Sequence, residues 1–229
     1  MKPSHPRWMA AALLVAALTA CGTAGGQQTT PPPRHPAPSE QGDAAAVARA
    51  RADSARLPWT EADARFMTNM IGHHAQAIVM ARMAPTHTST NSIRTLAERI
   101  INAQQDEIGT MQRWLRDRNR PVPDPGEMLE MAAMGHDHAM MPGMLTPEQL
   151  RELDQARGTN FDRLFLTFMI QHHRGATQMV SELFGTHGAG QDETVFKFAS
   201  DVNVDQETEI ARMGRMLADI LLGPAPSTP

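Results

Sequence analysis

Cysteine is almost missing from this chain: Cys21 is the only one in 229 residues. It has no partner for an intramolecular disulfide, so a stable core must come from packing alone. Basic runs and basic–aromatic stripes are also absent, which excludes a nucleic-acid-binding surface. No segment alternates apolar and polar residues over a useful length, so no sheet is expected. There is no Gly-x-Ser-x-Gly elbow and no Cys-x-x-Cys-His attachment motif, which removes elbow-type hydrolases and covalently attached haem. Glu-x-x-His does not occur either, and carboxylate-rich di-iron chemistry needs it. The apolar run from Trp8 to Ala20 is well short of the roughly 20 residues that span a bilayer.

That short run does fit an export signal. Lys2 and Arg7 precede it, and Leu18-Thr-Ala-Cys21-Gly22 closes it with small residues. Leu-Thr-Ala-Cys resembles the lipobox of bacterial lipoproteins, in which the cysteine carries the lipid. The expectation is a signal peptide over 1–20, lipidation at Cys21, and a membrane anchor facing the periplasm or cell exterior. Cleavage would lower Lys+Arg from 21 to 19 against 25 Asp+Glu, moving the formal charge from −4 to −6. Residues 21–58 are rich in Gly, Pro, Ser, Thr and Gln and read as a disordered tether, with a Pro-rich tail at 223–229.

What remains, 59–222, says one phrase twice. Asp63-x-x-Phe66-x-x-x-Met70-Ile71-x-His73-His74 returns as Asp162-x-x-Phe165-x-x-x-Met169-Ile170-x-His172-His173, displaced by 99 residues. Ala97, Gln104, Ile108, Met111 and Leu115 return as Ala199, Gln206, Ile210, Met213 and Leu217, displaced by 102. Helix starts at Thr60 and Asn91, and stops at Pro85 and Pro121, define a first hairpin over 60–118. A second hairpin over 159–222 follows a crossover over 119–158, in which Thr146-Pro-Glu-Gln starts a short helix. The first helix is expected to end near Met83. Two duplicated hairpins joined by a long crossover predict an all-α, ferritin-like four-helix bundle.

The doubled Met-Ile-x-His-His, together with Met141-Pro-Gly-Met144 and Gly158-x-x-Phe161-Asp162, resembles a bacterial family known as domain-of-unknown-function family 305, over about residues 60–220. The resemblance implies a ferritin-like bundle. Some members are implicated in periplasmic copper binding and tolerance. It implies no known catalytic activity.

The residues themselves point to a soft metal. At about 100° per residue, His73 and His74 straddle the apolar face of the first helix, with Met70 and Met80 on the same face. His172, His173, Met169 and Met179 repeat the set, so these eight are the candidate ligands. Imidazole is the commonest metal ligand, and replacing a carboxylate by a thioether favours Cu(I) over hard ions. Methionine also fills cores, so packing is the competing role for each. Gln104 and Gln206 are candidates to hydrogen-bond the second ring nitrogen of a facing histidine; the competing role is the exposed edge of the face. Ordinary imidazole chemistry predicts that such a site weakens as pH falls through about 6.5. In the crossover, Met128, Met131, Met134, His136, His138, Met140, Met141 and Met144 form a second candidate copper site, with surface packing as the alternative.

The function expected is therefore an exported copper-binding lipoprotein that sequesters or buffers copper, without a catalytic residue. Its partners would be copper and, through Cys21, the membrane, with a copper donor or acceptor protein possible. A metal-dependent oxidoreductase that oxidises copper, and a metal-free structural envelope lipoprotein, are the alternatives.

Overall fold

The computed structural model describes residues 58–133 and 141–223 together with Ala45, and side chains within these except 131–133. The signal segment, Cys21, the tether apart from Ala45 and Pro58, the tail from 224, the Met131 side chain, and Met134, His136, His138 and Met140 lie outside what it describes. The described part is all-helical, as the sequence predicts. Its helices are α1 (Glu61–His87), α2 (Asn91–Asp117), α3 (Pro125–Ala133), α4 (Pro147–Gln155), α5 (Gly158–Gly185) and α6 (Glu193–Leu222). None is long and apolar enough to cross a membrane.

Local chemistry sets most of the boundaries. Thr60 and Asp63 form a reciprocal capping box at the start of α1, and Thr146 and Gln149 form another on α4. Asp192 caps α6 by accepting from the backbone of Thr194 and Val195. α1 runs past the expected stop, because Pro85 sits in its last turn. There its missing N–H leaves only one carbonyl without a partner, and Thr88 N still closes on Ala84 O at 3.1 Å. The crossover also contains α3, which the sequence pattern does not anticipate, and at its start Asp124 Oδ1 accepts from Gly126 N and Glu127 N.

α1 packs on α2, α5 packs on α6, and the hairpins meet chiefly through α1 and α5. Two separate apolar clusters show how. One joins Phe66 and Met70 of α1 to Met179 and Leu183 of α5, with Met111 and Leu115 of α2 and Val195 and Phe198 of α6. The other joins Met80 and Ala84 to Phe161, Phe165 and Met169, with Ile93 and Leu96 and, from α6, Met213. The early part of α1 therefore meets the late part of α5 and the reverse, so the two helices run antiparallel and the duplication is expressed as a pseudo-twofold. Full burial of each such Phe, Leu or Met favours folding by about 1.5–3 kcal/mol.

The duplicated aspartates tie the halves together. Asp63 Oδ1 accepts from Gly190 N at 2.7 Å in the α5–α6 turn, and Asp162 Oδ2 accepts from Thr90 Oγ1 at 2.5 Å in the α1–α2 turn. Each carboxylate thus leaves its own hairpin and holds the turn of the other. Asp192 adds a third tie: it accepts from Trp114 Nε1 at 3.0 Å and Arg118 Nη2 at 2.5 Å. Burial alone would raise the Asp192 carboxyl, but these hydrogen bonds and the Arg118 charge outweigh it and hold it below the usual carboxylate range.

Candidate metal centre

Between the two apolar clusters lies a polar belt. His73, His74, His172 and His173 are at most 1% exposed, and Gln104 and Gln206 are each 2% exposed. The four predicted histidines are therefore brought together at mid-bundle. The rings of His73 and His172 overlap across the pseudo-twofold, with centroids 3.9 Å apart at 37°. His74 lies 6.5 Å from His73, and His173 lies 6.2 Å from His172, centroid to centroid. Of the predicted thioethers, Met70, Met80 and Met169 are fully buried and Met179 nearly so. Met70 and Met179 belong to one apolar cluster, and Met80 and Met169 to the other, so a pair stands on each side of the histidines.

The two histidines of each pair have different surroundings. His74 and His173 turn toward the second helix of their own hairpin. His173 Nε2 donates to Glu209 Oε2 at 2.6 Å. His74 Nε2 lies 2.7 Å from Glu107 Oε2, at salt-bridge distance but out of line for a hydrogen bond. The partners of the outer rings are thus carboxylates, not the amides of Gln104 and Gln206, whose Oε1 atoms are buried without a partner among the described residues. Glu107 and Glu209 obey the same 102-residue displacement as the two glutamines, and that was the signal available to find them.

His73 and His172 face each other and the crossover. His73 Nε2 donates to Pro142 O at 3.0 Å, whereas neither nitrogen of His172 has a partner among the described residues. Nδ1 of His73, His74 and His173 is likewise buried and unpartnered. Leaving a buried polar atom unpaired costs on the order of 1–3 kcal/mol, so so many in one layer are a large local penalty. Burial, with the His74 charge next, pushes the His73 imidazole from 6.5 down to about 3, against the opposing pull of Pro142 O. Burial and then the His73, His173 and His74 charges put His172 well below 6.5 as well. Both inner rings are neutral at physiological pH, with lone pairs to offer. The expected loss of function through about pH 6.5 is thereby moved down for His73: the cause is desolvation, which a sequence does not display.

The segment Met141–Leu145 straps the layer. Gln76 clamps it, accepting from Leu145 N at 2.7 Å and donating to Leu145 O at 3.1 Å. Opposite, Gly143 has φ +75 and its backbone lies against Gly175. The pseudo-twofold is deliberately uneven here. α1 carries Gly72 and Gln76 where α5 carries Gln171 and Gly175, so one helix grips the strap and the other lets its backbone approach. Gly72 makes room for Met128 of α3 in turn. Of the crossover candidates, Met128 and Met144 are buried and Met141 is half-buried. A Cβ on Gly175 would stand 1.9 Å from Pro142 O, and the obstacle is backbone. Gly175→Ala is therefore expected to cost roughly 1–3 kcal/mol in urea denaturation, as overpacking does, whereas Gly214→Ala, which meets nothing, should cost no stability.

Among the described residues no three His, Cys, Asp or Glu side chains surround one point as a ready-made cage. The inner rings instead lie tilted against each other at 37°, so a single ion could be shared between them only if they turned. The site consists of two neutral inner imidazoles, two outer imidazoles beside carboxylates, and flanking thioethers, a donor set that fits a soft or borderline ion.

Fold and site together define a helical protein built by duplication around a buried His/Met layer. The chain belongs to the family described as Domain of unknown function (DUF305), which matches residues 63–217. Similar solved structures include a DUF305 fragment from Deinococcus radiodurans, 27% identical, covering 70% of this chain and 98% of that one at TM-score 0.60. A DUF305 protein from Streptomyces coelicolor, named as secreted, is 29% identical over 69% of this chain and 92% of its own, at TM-score 0.57. CopM in its Cu(I)-bound form is 30% identical over 71% of this chain and 98% of its own, at TM-score 0.53. No curated protein matches the sequence.

Proposed function

We propose that the protein binds copper, as Cu(I), in the mid-bundle layer and buffers it without turnover. The observation that carries this is the set of unpartnered ring nitrogens on four buried histidines, two of them held neutral, between two pairs of thioethers. A metal-free packing role would leave that polar penalty uncompensated, whereas coordination would relieve it. His74–Glu107 and His173–Glu209 support the same reading. At His173 the carboxylate that accepts from Nε2 fixes the tautomer and leaves Nδ1 free for a metal, and Glu107 stands 2.7 Å from His74 Nε2. CopM has been crystallised with Cu(I), Cu(II) and silver, so a related fold accepts both soft and borderline ions.

The remaining parts of the proposal come from the sequence. Lipidation at Cys21 would place the layer outside the membrane on a tether, and the Met/His crossover from Met128 to Met144 would supply a second, exchangeable copper site. No catalytic residue is assigned. Anaerobic Cu(I) titration of the protein against a competing chelator tests the central claim. Changing His73, His74, His172 and His173 together to alanine should remove at least one tightly bound ion. Unchanged stoichiometry and affinity would reduce the four to packing groups. Cu(I) oxidation by oxygen that turns over many times per protein and needs these histidines would establish the oxidoreductase instead.

A further inference from the structure

The pseudo-twofold relates the four histidines, but the strap treats the two inner rings differently. Pro142 O lies 3.0 Å from His73 Nε2. A carbonyl oxygen only accepts, so Nε2 carries the ring proton, and Nδ1, buried and unpartnered, carries the lone pair. The carbonyl is itself held on both flanks. Gln76 Oε1 accepts from Leu145 N at 2.7 Å and its Nε2 donates to Leu145 O at 3.1 Å, while Gln171 Nε2 donates to Gly143 O at 3.4 Å. Gly175, without a Cβ, lets Pro142 settle against α5. Nothing among the described residues plays the part of Pro142 for His172, whose two nitrogens are both buried without a partner. A ring without a hydrogen bond has no preferred tautomer and only packing to hold its orientation. His173 is fixed in the same sense as His73, by Glu209 rather than by the strap.

We infer that the strap makes the inner histidines unequal: it fixes His73 as the Nε2–H tautomer with Nδ1 as its ligand atom, and leaves His172 as the ring that turns to meet an ion. Gln76 is the positioning residue. It makes no hydrogen bond to a histidine, yet it holds Leu145 and, through the strap, the carbonyl of Pro142 over His73. A carboxylate or backbone carbonyl on the second nitrogen commonly orients a ligating imidazole, and losing such a partner weakens metal affinity about 10–100-fold. The inference rests on the copper reading for the identity of the cargo. The state of the His73 ring in the metal-free protein is independent of it.

Nitrogen NMR of isotopically labelled histidines reads the tautomer of each ring, and Ag(I), which is diamagnetic and stable in air, marks the ligand atom. In the metal-free protein His73 is expected as a single Nε2–H tautomer and His172 as a mixture. Added Ag(I) should shift Nδ1 of His73 and one nitrogen of His172, leaving the proton on His73 Nε2. Gln76→Met keeps a similar length and removes both polar ends of the side chain. It should turn His73 into a mixture and lower Ag(I) affinity at least tenfold, while His173 keeps the tautomer that Glu209 gives it. His73 found as Nδ1–H in the wild-type protein, or an Ag(I) shift at its Nε2, overturns the inference whether or not the variant folds. So does a folded Gln76→Met protein with His73 unchanged and Ag(I) affinity within threefold. A pinned His73 in a protein that takes up neither Ag(I) nor Cu(I) would sink the copper proposal and the ligand role of Nδ1 with it, leaving only the hold of the strap on the ring. A protein that binds both ions with His73 unpinned would sink this inference alone.

Discussion

His172→Leu should make the metal-free protein more stable, not less. His172 is fully buried and leaves both ring nitrogens without a partner among the described residues. Leucine has a similar volume and no polar atom to desolvate, so removing the unpaired groups should gain on the order of 1–3 kcal/mol. At about 2–4 °C per kcal/mol for a domain of this size, the apo melting temperature rises by several degrees. The same substitution deletes a ligand. Wild-type protein with Cu(I) at a thousand times Kd gains about 4 kcal/mol from mass action, and the variant should lose most of that gain. The two curves therefore cross: the variant melts higher without metal and lower with it. A variant that is less stable when metal-free would show that His172 is a satisfied packing residue.

The same contrast explains what could be read before the structure was known. The duplication was legible because Met70-Ile71-x-His73-His74 and its copy carry both the apolar period and the unusual residues that interrupt it. Glu107 and Glu209 were legible in principle, since they share the displacement of Gln104 and Gln206. A carboxylate on a helix flank is usually solvated, and no sequence feature marks a buried imidazole beneath it. The strap was not legible. Its docking depends on Gly175 standing where α1 has Gln76, an exchange that a repeat alignment registers as a mismatch. Helix α3 lies in the crossover, where the sequence predicts only the short helix starting at Thr146, and Pro125 suits its first turn. Burial itself was the largest gap: the sequence places His73 on an apolar face but does not show that solvent is excluded from it.

That exclusion leads to a pH dependence of stability that an exposed histidine pair, with equal folded and unfolded values, would not give. Burial sets the folded-state value of His73 near 3, below the ordinary 6.5, and that of His172 well below 6.5. Between those limits the unfolded chain takes up protons that the folded one refuses. Stability is therefore complete above about pH 6.5 and is lost as pH falls toward 3. The slope is about 1.4 kcal/mol per pH unit for each histidine, or about 2.7 for the two together. Carboxylates with a lowered value, such as Asp192, add to the loss only at lower pH, so the interval from 6.5 to 5 isolates the imidazoles. Urea midpoints of the apo protein taken across that interval should fall steeply with acid. In His172→Leu the slope should drop by about half, because one of the two groups is gone. Copper binding at the inner pair should be less sensitive: His73 and His172, already neutral in the fold, have no proton to displace, so Cu(I) affinity that rests on them should hold through pH 6.5 for as long as the protein stays folded. Flat urea midpoints between pH 6.5 and 5, or a tenfold fall in Cu(I) affinity over the same range in a protein still fully folded, would show that water reaches the layer and that its histidines titrate as ordinary imidazoles.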